Sequence, residues 1–128
     1  KIKINSTEIA THTLRKMWDV NLLNVQEQFC VLFLNRSNQV NGFKCLSTGG
    51  IDNASVDIRL LFSIAGKSLS TGIIIAHNHP SGFLEPSKAD LHLTRKIKKA
   101  SELMDIQLVD HIILSHIDYF SFAEHELI

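Results

Sequence analysis

Hydrophobic residues recur along the first half of the chain with two spacings, one typical of helices and one typical of strands. Between Asn5 and Asp19 they fall near one face of a helix, and Asn5 with Glu8 predicts a capping box at its start. Residues 26–35 and 40–50 predict two strands joined by the turn "RSNQ", which makes a hairpin. The first strand is apolar on both faces, so we expect it in the interior of a sheet.

The second half of the chain alternates between the same two spacings. Its patterns predict helices over 55–70 and 87–104, and strands over 71–76, 107–116 and, more briefly, 119–124. The resulting order, α-β-β-α-β-α-β-β, favours a mixed sheet with helices packed on it. We therefore interpret residues 1–128 as a single α/β domain without internal repeats.

Composition narrows the class of protein without assigning a function. Hydrophobic residues make up 45% and charged residues 20%, which is typical of a soluble globular domain. The 13 basic and 13 acidic residues balance, so no net charge attracts the chain to nucleic acid or to a membrane. The longest apolar run, "FCVLFL", is too short to span a bilayer, and the N-terminus shows no signal pattern. We expect a cytoplasmic protein with no membrane partner.

The two cysteines, Cys30 and Cys45, both lie in apolar segments predicted as strands. Neither has a second cysteine or a histidine at the spacing typical of a metal site. For a cytoplasmic protein this pattern favours two buried, reduced thiols over a disulfide.

The chemistry begins in the stretch "AHNHPSGFLEPSKAD", residues 76–90. His77 and His79 follow a predicted strand, and in an extended chain residues two apart point to the same side. Ser87 and Asp90 are three apart in the first turn of a predicted helix, so they also share a direction. Two histidines and one carboxylate supply the three protein ligands of a hydrolytic zinc site, which leaves one position for water.

A purely structural interpretation of the same stretch stays open. Ser87-x-x-Asp90 after a proline is also a helix capping box, and such boxes are common. A pair of histidines two residues apart is a weak signal by itself. The two interpretations do not exclude each other for Ser87, and the combination of strand end, rigid loop and returning helix favours the metal site.

A hydrolytic metal site also needs a general base, and Glu27 is the candidate. In "QEQFCVLFLN" it alternates with Phe29, Val31 and Phe33, so it shares a face with residues that should be buried. The alternative is a charged residue at the exposed first position of a strand.

Asp110 and His111 lie in the strand predicted over 107–116, beside the proposed site. Either side chain is a candidate to contact the ligands or a substrate, because such partners orient metal-binding histidines. The more ordinary interpretation of His111 is a histidine that forms a hydrogen bond at the edge of the sheet.

A basic stripe follows the helix predicted over 87–104, at Lys88, Arg95, Lys96 and Lys99. Such a stripe can contact phosphates. It is more often the solvated face of an amphipathic helix, and we favour that interpretation. No aromatic residues interleave with it, which argues against binding of single-stranded nucleic acid.

These residues together resemble a known signature. Glu27, His77-x-His79, seven residues and Ser87-x-x-Asp90 are similar to the JAMM signature of the MPN domain family of metallohydrolases. Within that family the chain resembles RadC proteins, which carry "QEQF", "HNHPSG", "PSKAD" and "DHIIL" at the corresponding places. The resemblance covers nearly the whole chain, from the first helix to "YFSF".

The resemblance implies a cytidine-deaminase-like α/β fold, the JAMM/MPN fold, with one Zn²⁺ per chain. It implies that His77, His79 and Asp90 ligate the ion, with water as the fourth ligand. Glu27 would take a proton from that water and pass it to the leaving amine, and Ser87 would stabilise the oxyanion of the substrate. In JAMM enzymes this chemistry cleaves peptide or isopeptide bonds, so a peptide or protein substrate is expected.

Two other functions remain open at this point. RadC proteins usually also carry an N-terminal helix-hairpin-helix region that suggests DNA contact, and these 128 residues do not show one. The resemblance to RadC proteins still makes a DNA-associated protein the second candidate, either a nuclease or a DNA-binding accessory in repair or in a mobile element. The third candidate is a non-catalytic MPN scaffold, although all five site positions are filled. Two histidines and a carboxylate also suit Fe(II).

Overall fold

The computed structural model describes residues 1–49 and 56–128, and within them it contains three helices and five strands. The helices are α1 Thr7–Met17, α2 Ile58–Lys67 and α3 Lys88–Leu103. The strands are β1 Gln28–Leu34, β2 Val40–Thr48, β3 Gly72–Asn78, β4 Gln107–Leu114 and β5 Tyr119–Ser121. Their order is the predicted one. The predicted strand end at Gly50 and helix start at Ser55 lie outside the described residues.

The strands form one mixed sheet in the order β2-β1-β3-β4-β5. β1 pairs antiparallel with both β2 and β3, β3 and β4 are parallel, and β5 pairs antiparallel with β4. α3 connects the parallel pair, because a parallel connection needs a crossover. Every residue of β1 is buried, which confirms that it lies in the interior of the sheet.

The helices cover both faces of the sheet, because the side chains of each strand alternate between the faces. In β3, Ile73 and Ile75 pack in one cluster with side chains of α2 and α3, whereas Ile74 and Ala76 pack in another with side chains of α1. The alternation places the next residue, His77, on the α3 side, where it is fully buried. The sheet therefore presents His77 to the start of α3.

The hairpin formed by β1 and β2 brings Cys30 and Cys45 directly opposite each other, and a disulfide joins them. The prediction of two reduced thiols is therefore wrong. Counted from the turn, the pairing depends on the register shift between Phe33 and Leu34, and a second shift follows directly beyond Cys30. Such irregularities change which residues face each other, and the apolar pattern of the two strands does not reveal them.

Two features of the helices bear on the predictions. Ser6 is the N-cap of α1, and its side chain accepts a hydrogen bond from the Ile9 backbone N–H. The predicted box of Asn5 and Glu8 is therefore one residue early. Serine and asparagine are equally good N-caps, so the sequence alone does not choose between Asn5 and Ser6.

No helix within the described ranges is long and apolar enough to cross a membrane.

Candidate metal centre

The end of β3 and the first turn of α3 bring three ionisable side chains together. The Nε2 atom of His77 lies 3.3 Å from Oδ1 of Asp90, and Nε2 of His79 lies 3.6 Å from Oδ2 of the same carboxylate. The two Nε2 atoms are 2.9 Å apart. One ligand atom from each of the three residues lies within 4.8 Å of the other two, which is compatible with one metal ion. The predicted ligand residues are thus neighbours in space.

The backbone around His79 fixes both its position and the orientation of its ring. Its backbone N–H donates to the Leu114 carbonyl, which extends the pairing of β3 and β4 by one residue. The following turn closes with a bond from Gly82 N–H to the His79 carbonyl, and Gly82 has a φ of +87°, a conformation that favours glycine. The turn directs the Phe83 carbonyl at Nδ1 of His79. A carbonyl only accepts, so Nδ1 carries the proton and Nε2 of the neutral ring keeps its lone pair.

Asp90 caps α3 and faces the two histidines at the same time. Its Oδ2 atom accepts the Ser87 backbone N–H at 2.8 Å, and Oγ of Ser87 accepts the Asp90 backbone N–H at 3.1 Å. This is a complete capping box, with Oδ1 of Asp90 left to face His77. The predicted capping box is therefore confirmed, and it is compatible with the predicted metal site, because a carboxylate has enough lone pairs for both.

Electrostatics within the cluster favours a cation. Burial alone raises the pKa of the Asp90 carboxyl, but its contacts with the His77 and His79 rings outweigh that effect and hold the pKa well below its ordinary value. The hydrogen bond with Asp90 raises the pKa of His79, whereas burial lowers the pKa of His77. Asp90 is therefore an anion beside a fully buried His77 ring that burial keeps from gaining charge, and a cation held between the three side chains would balance it.

Glu27 immediately precedes β1 and reaches the same place from the neighbouring strand. β1 pairs with β3 so that Phe29 lies opposite His77. A cleft of ≈ 450 Å³ opens over the cluster. The described residues that line it are Glu27, His79, Ser81, Phe83, Glu85, Pro86, Ser87 and Asp90. The predicted base and the predicted oxyanion donor, Ser87, therefore share one cleft with two of the three predicted ligands.

Asn78 is a residue of the site that the sequence analysis did not identify. It is fully buried on the opposite side of β3 from the two histidines. Its Oδ1 atom accepts the Gln28 backbone N–H at 2.7 Å, and its Nδ2 atom donates to the carbonyls of Leu23 and Gln26, both at 2.8 Å. All these bonds hold the segment that carries Glu27. The sequence feature that could have indicated Asn78 is its place as a polar residue between two histidines at the end of a strand.

His111 and Asp110 lie on opposite faces of β4. His111 is fully buried in the sheet interior, so its assignment to a sheet edge is wrong, and its Nε2 atom lies 2.8 Å from Nδ1 of His77. Asp110 instead lines a cavity beside α1. Its carboxylate accepts bonds from Ser121 Oγ, from the Ala123 backbone N–H and from the His111 backbone N–H. Asp110 thus holds the C-terminal turn, and only His111 contacts a predicted ligand with its side chain.

Comparison with known proteins places this geometry in context. The family described as "RadC-like JAB domain" matches residues 4–127. A UPF0758 protein of Flavobacterium johnsoniae is 48% identical over 98 residues, which cover 77% of this chain and 43% of that protein. A second, of Porphyromonas gingivalis, is 42% identical over 104 residues, 80% of this chain and 46% of the relative. A third, of Carboxydothermus hydrogenoformans, is 45% identical over 102 residues, which cover 80% of this chain and 45% of that protein. The chain spans less than half the length of each of these relatives.

Proposed function

Because the chain belongs to the RadC-like JAB domain family, we propose that it is a zinc-dependent hydrolase that cleaves amide bonds of peptides or proteins. The observation that carries the proposal is the convergence of His77, His79 and Asp90, whose ligand atoms lie within 4.8 Å of one another. The names of the three relatives state no activity, so the assignment rests on the site.

The donor set fits a divalent cation of the zinc type. Two imidazole nitrogens and one carboxylate oxygen are ligands that Zn²⁺ prefers, and three protein ligands leave one position open. Fe(II) accepts the same donor set, so metal analysis decides between them. In the neutral tautomer that the Phe83 carbonyl selects, the Nε2 lone pair of His79 lies 3.6 Å from Oδ2 of Asp90, so one cation between them would contact both. A bound cation would lower the pKa of a coordinated water and polarise the substrate carbonyl.

Glu27 and Ser87, which both line the cleft, supply the remaining chemistry. Glu27 accepts the proton of the attacking water and returns it to the departing amine. The hydrolysis of the amide therefore leaves Glu27 in its starting protonation state. Ser87 uses a lone pair of Oγ to accept the Asp90 N–H, so its own hydroxyl proton is free for the oxyanion on the substrate carbonyl. Asn78 fixes the backbone on either side of Glu27, which limits the motion of the base.

The lining of the cleft favours an amide over a phosphodiester. Its described residues include the carboxylates of Glu27, Glu85 and Asp90 and neither lysine nor arginine. Proteins bind DNA largely through lysines and arginines that neutralise its phosphates, and the exposed cations of α3, among them Lys96, lie outside the lining. The 64% exposed ring of Phe83 provides an apolar surface for an uncharged side chain. We therefore prefer a peptide or isopeptide substrate to DNA.

The experiment that tests the proposal is hydrolysis of a mixed library of fluorogenic peptide and isopeptide substrates by Zn²⁺-loaded protein. Replacement of Glu27 by glutamine should lower the rate by about 10²–10⁴-fold, the contribution typical of a general base, without loss of the metal. Glu85→Gln is the matched control, because it removes a second carboxylate from the same cleft and should leave the rate close to that of the wild type. Equal rates for Glu27→Gln and the wild type on every responsive substrate would exclude Glu27 as the base.

A further inference from the structure

A chain of three hydrogen bonds links two of the proposed ligands behind the site. Nδ1 of His77 lies 2.8 Å from Nε2 of His111, and Nδ1 of His111 lies 2.6 Å from Oγ1 of Thr94. Oγ1 of Thr94 in turn donates to the Asp90 backbone carbonyl at 2.7 Å. All four residues are at least 98% buried. Water therefore does not compete for these bonds, and each group depends on its protein partner.

The direction of proton donation along this chain follows from its last bond. A carbonyl oxygen only accepts, so the single hydroxyl proton of Thr94 points at the Asp90 carbonyl. Thr94 Oγ1 must then accept from His111, which places the proton of neutral His111 on Nδ1. Its Nε2 atom is left with a lone pair and accepts the Nδ1 proton of His77. Neutral His77 consequently has no proton on Nε2, the atom that faces Asp90.

The reverse order of donation leaves contacts unsatisfied. It would direct the Thr94 proton at His111, and Oγ1 of Thr94 and the Asp90 carbonyl oxygen would face each other at 2.7 Å with no hydrogen between them. It would also put the proton of His77 on Nε2, where the cation should bind. The first order satisfies all three bonds of this chain. It leaves the Nε2 lone pair of His77 facing Nε2 of His79 at 2.9 Å and Oδ1 of Asp90 at 3.3 Å, three acceptors that a cation would bridge.

The ring of His111 is also held in its plane by aromatic neighbours. Phe122 stacks on it with ring centroids 4.2 Å apart and an angle of 14°, and the edge contact with Phe29 has a centroid distance of 6.4 Å. Asp110 fixes the residues on both sides of Phe122 through Ser121 and Ala123. A ring packed between two phenylalanines cannot rotate to exchange its nitrogens without local opening.

We propose that Thr94 and His111 are positioning residues that keep His77 in the tautomer whose Nε2 lone pair binds the cation. The proposal deepens the function argued above and rests on it for the identity of the ligand. The order of protons, however, is a property of the metal-free protein and can be measured without a metal or a substrate.

The test has a spectroscopic part and a binding part. Long-range ¹H–¹⁵N spectra of the metal-free wild type should show the protons of His77 and His111 on Nδ1. Co²⁺ affinity, measured by competition with a chelator, should fall about 10–100-fold in Thr94→Val, the usual loss when a partner of a metal-binding histidine is removed. Thr94→Ser retains the hydroxyl and should bind Co²⁺ nearly as tightly as the wild type.

The outcomes separate this inference from the proposed function. A proton on Nε2 of His111 in the metal-free wild type overturns the inference whatever the protein binds, and this arm needs no variant to fold. Equal Co²⁺ affinities for Thr94→Val and Thr94→Ser overturn it as well. A wild type with the expected tautomers that takes up neither Co²⁺ nor Zn²⁺ instead contradicts the proposed function.

Discussion

Single polar groups in this site serve two partners each, and this determines how much the sequence reveals. The carboxylate of Asp90 caps α3 and faces His77, and the hydroxyl of Ser87 accepts one bond while its proton stays free. The spacing of these residues is therefore correct both for a capping box and for a metal site. Local periodicity predicted that the side chains share a direction. It named both Asp110 and His111 as candidates to contact the ligands and did not separate them, because the contact of His111 with His77 depends on the pairing of β3 with β4.

Replacement of Ser87 by alanine tests its two roles separately, the N-cap of α3 and the proposed donor to the oxyanion. It removes the acceptor for the Asp90 N–H, and we expect a loss of about 1 kcal/mol in the free energy of unfolding, the usual effect of losing an N-cap. Hydrolysis should also slow because the oxyanion donor is absent, while metal stoichiometry should be unchanged. Urea denaturation and metal analysis of the variant measure these effects, with Ser87→Thr as the control that keeps the cap. Loss of the metal in Ser87→Ala would mean that the hydroxyl has a role other than the one argued.

Individual elements are tied to the site by buried side chains from their neighbours. Asn78 of β3 holds the backbone that leads into β1, and Asp110 of β4 holds the turn that follows β5. The amphipathic pattern predicted all these elements, because it depends only on which residues are apolar. The side-chain bonds between them join residues 11 to 55 positions apart, and no local pattern reports such a contact.

Removal of the Asn78 side chain should loosen the segment that carries Glu27. Asn78→Ala leaves one backbone N–H and two carbonyls without their partner. The Gln28 N–H and the Leu23 carbonyl form buried bonds with Asn78, and each such group left unpaired costs about 1–3 kcal/mol. We expect a large loss of stability in urea and faster amide exchange at Gln28, whose N–H loses its acceptor. Asn41→Ala is the control, since it removes a half-buried amide that bonds to Ser68 and Ser70 and makes no bond to the segment that carries Glu27. Unchanged exchange at Gln28 in Asn78→Ala would show that the amide does not hold this segment.

Asp110 should make the stability of the sheet depend on pH in a defined direction. Burial raises the pKa of its carboxyl above 3.8, although bonds from Ser121 and Ala123 oppose the shift. The folded state then binds the proton more tightly than the unfolded state, so the contribution of Asp110 is most favourable in acid and falls as the pH rises through the raised pKa. Asp110→Asn does not titrate and serves as the reference. Urea denaturation of both proteins from pH 3.5 upward should show wild type losing stability relative to Asp110→Asn, and the opposite trend would contradict a raised pKa.

Across the whole molecule, the sequence predicted the class of fold and the neighbourhood of the site better than the pairing of strands. The unbroken apolar run of β1 indicated an interior strand, and the change of spacing at Ser87 indicated where the chain returns as α3. The disulfide between Cys30 and Cys45 was rejected on the expectation of a cytoplasmic protein, and the apolar pattern of the two strands does not show that these residues lie opposite each other. The convergence of strand ends at one edge of the sheet is what turns separate motifs into one centre.

The measurement that tests this account most directly is the metal content of protein purified without added metal. About one zinc per chain is expected in the wild type, as in an open three-ligand site. His79→Ala and Asp90→Asn should lose it, because each removes a ligand. Asp90→Asn keeps an oxygen acceptor for the cap, and His92→Ala, an exposed histidine two residues beyond Asp90, should retain the metal. A folded wild type that contains no metal and takes up none on titration with Zn²⁺ or Fe(II) would contradict the metal centre.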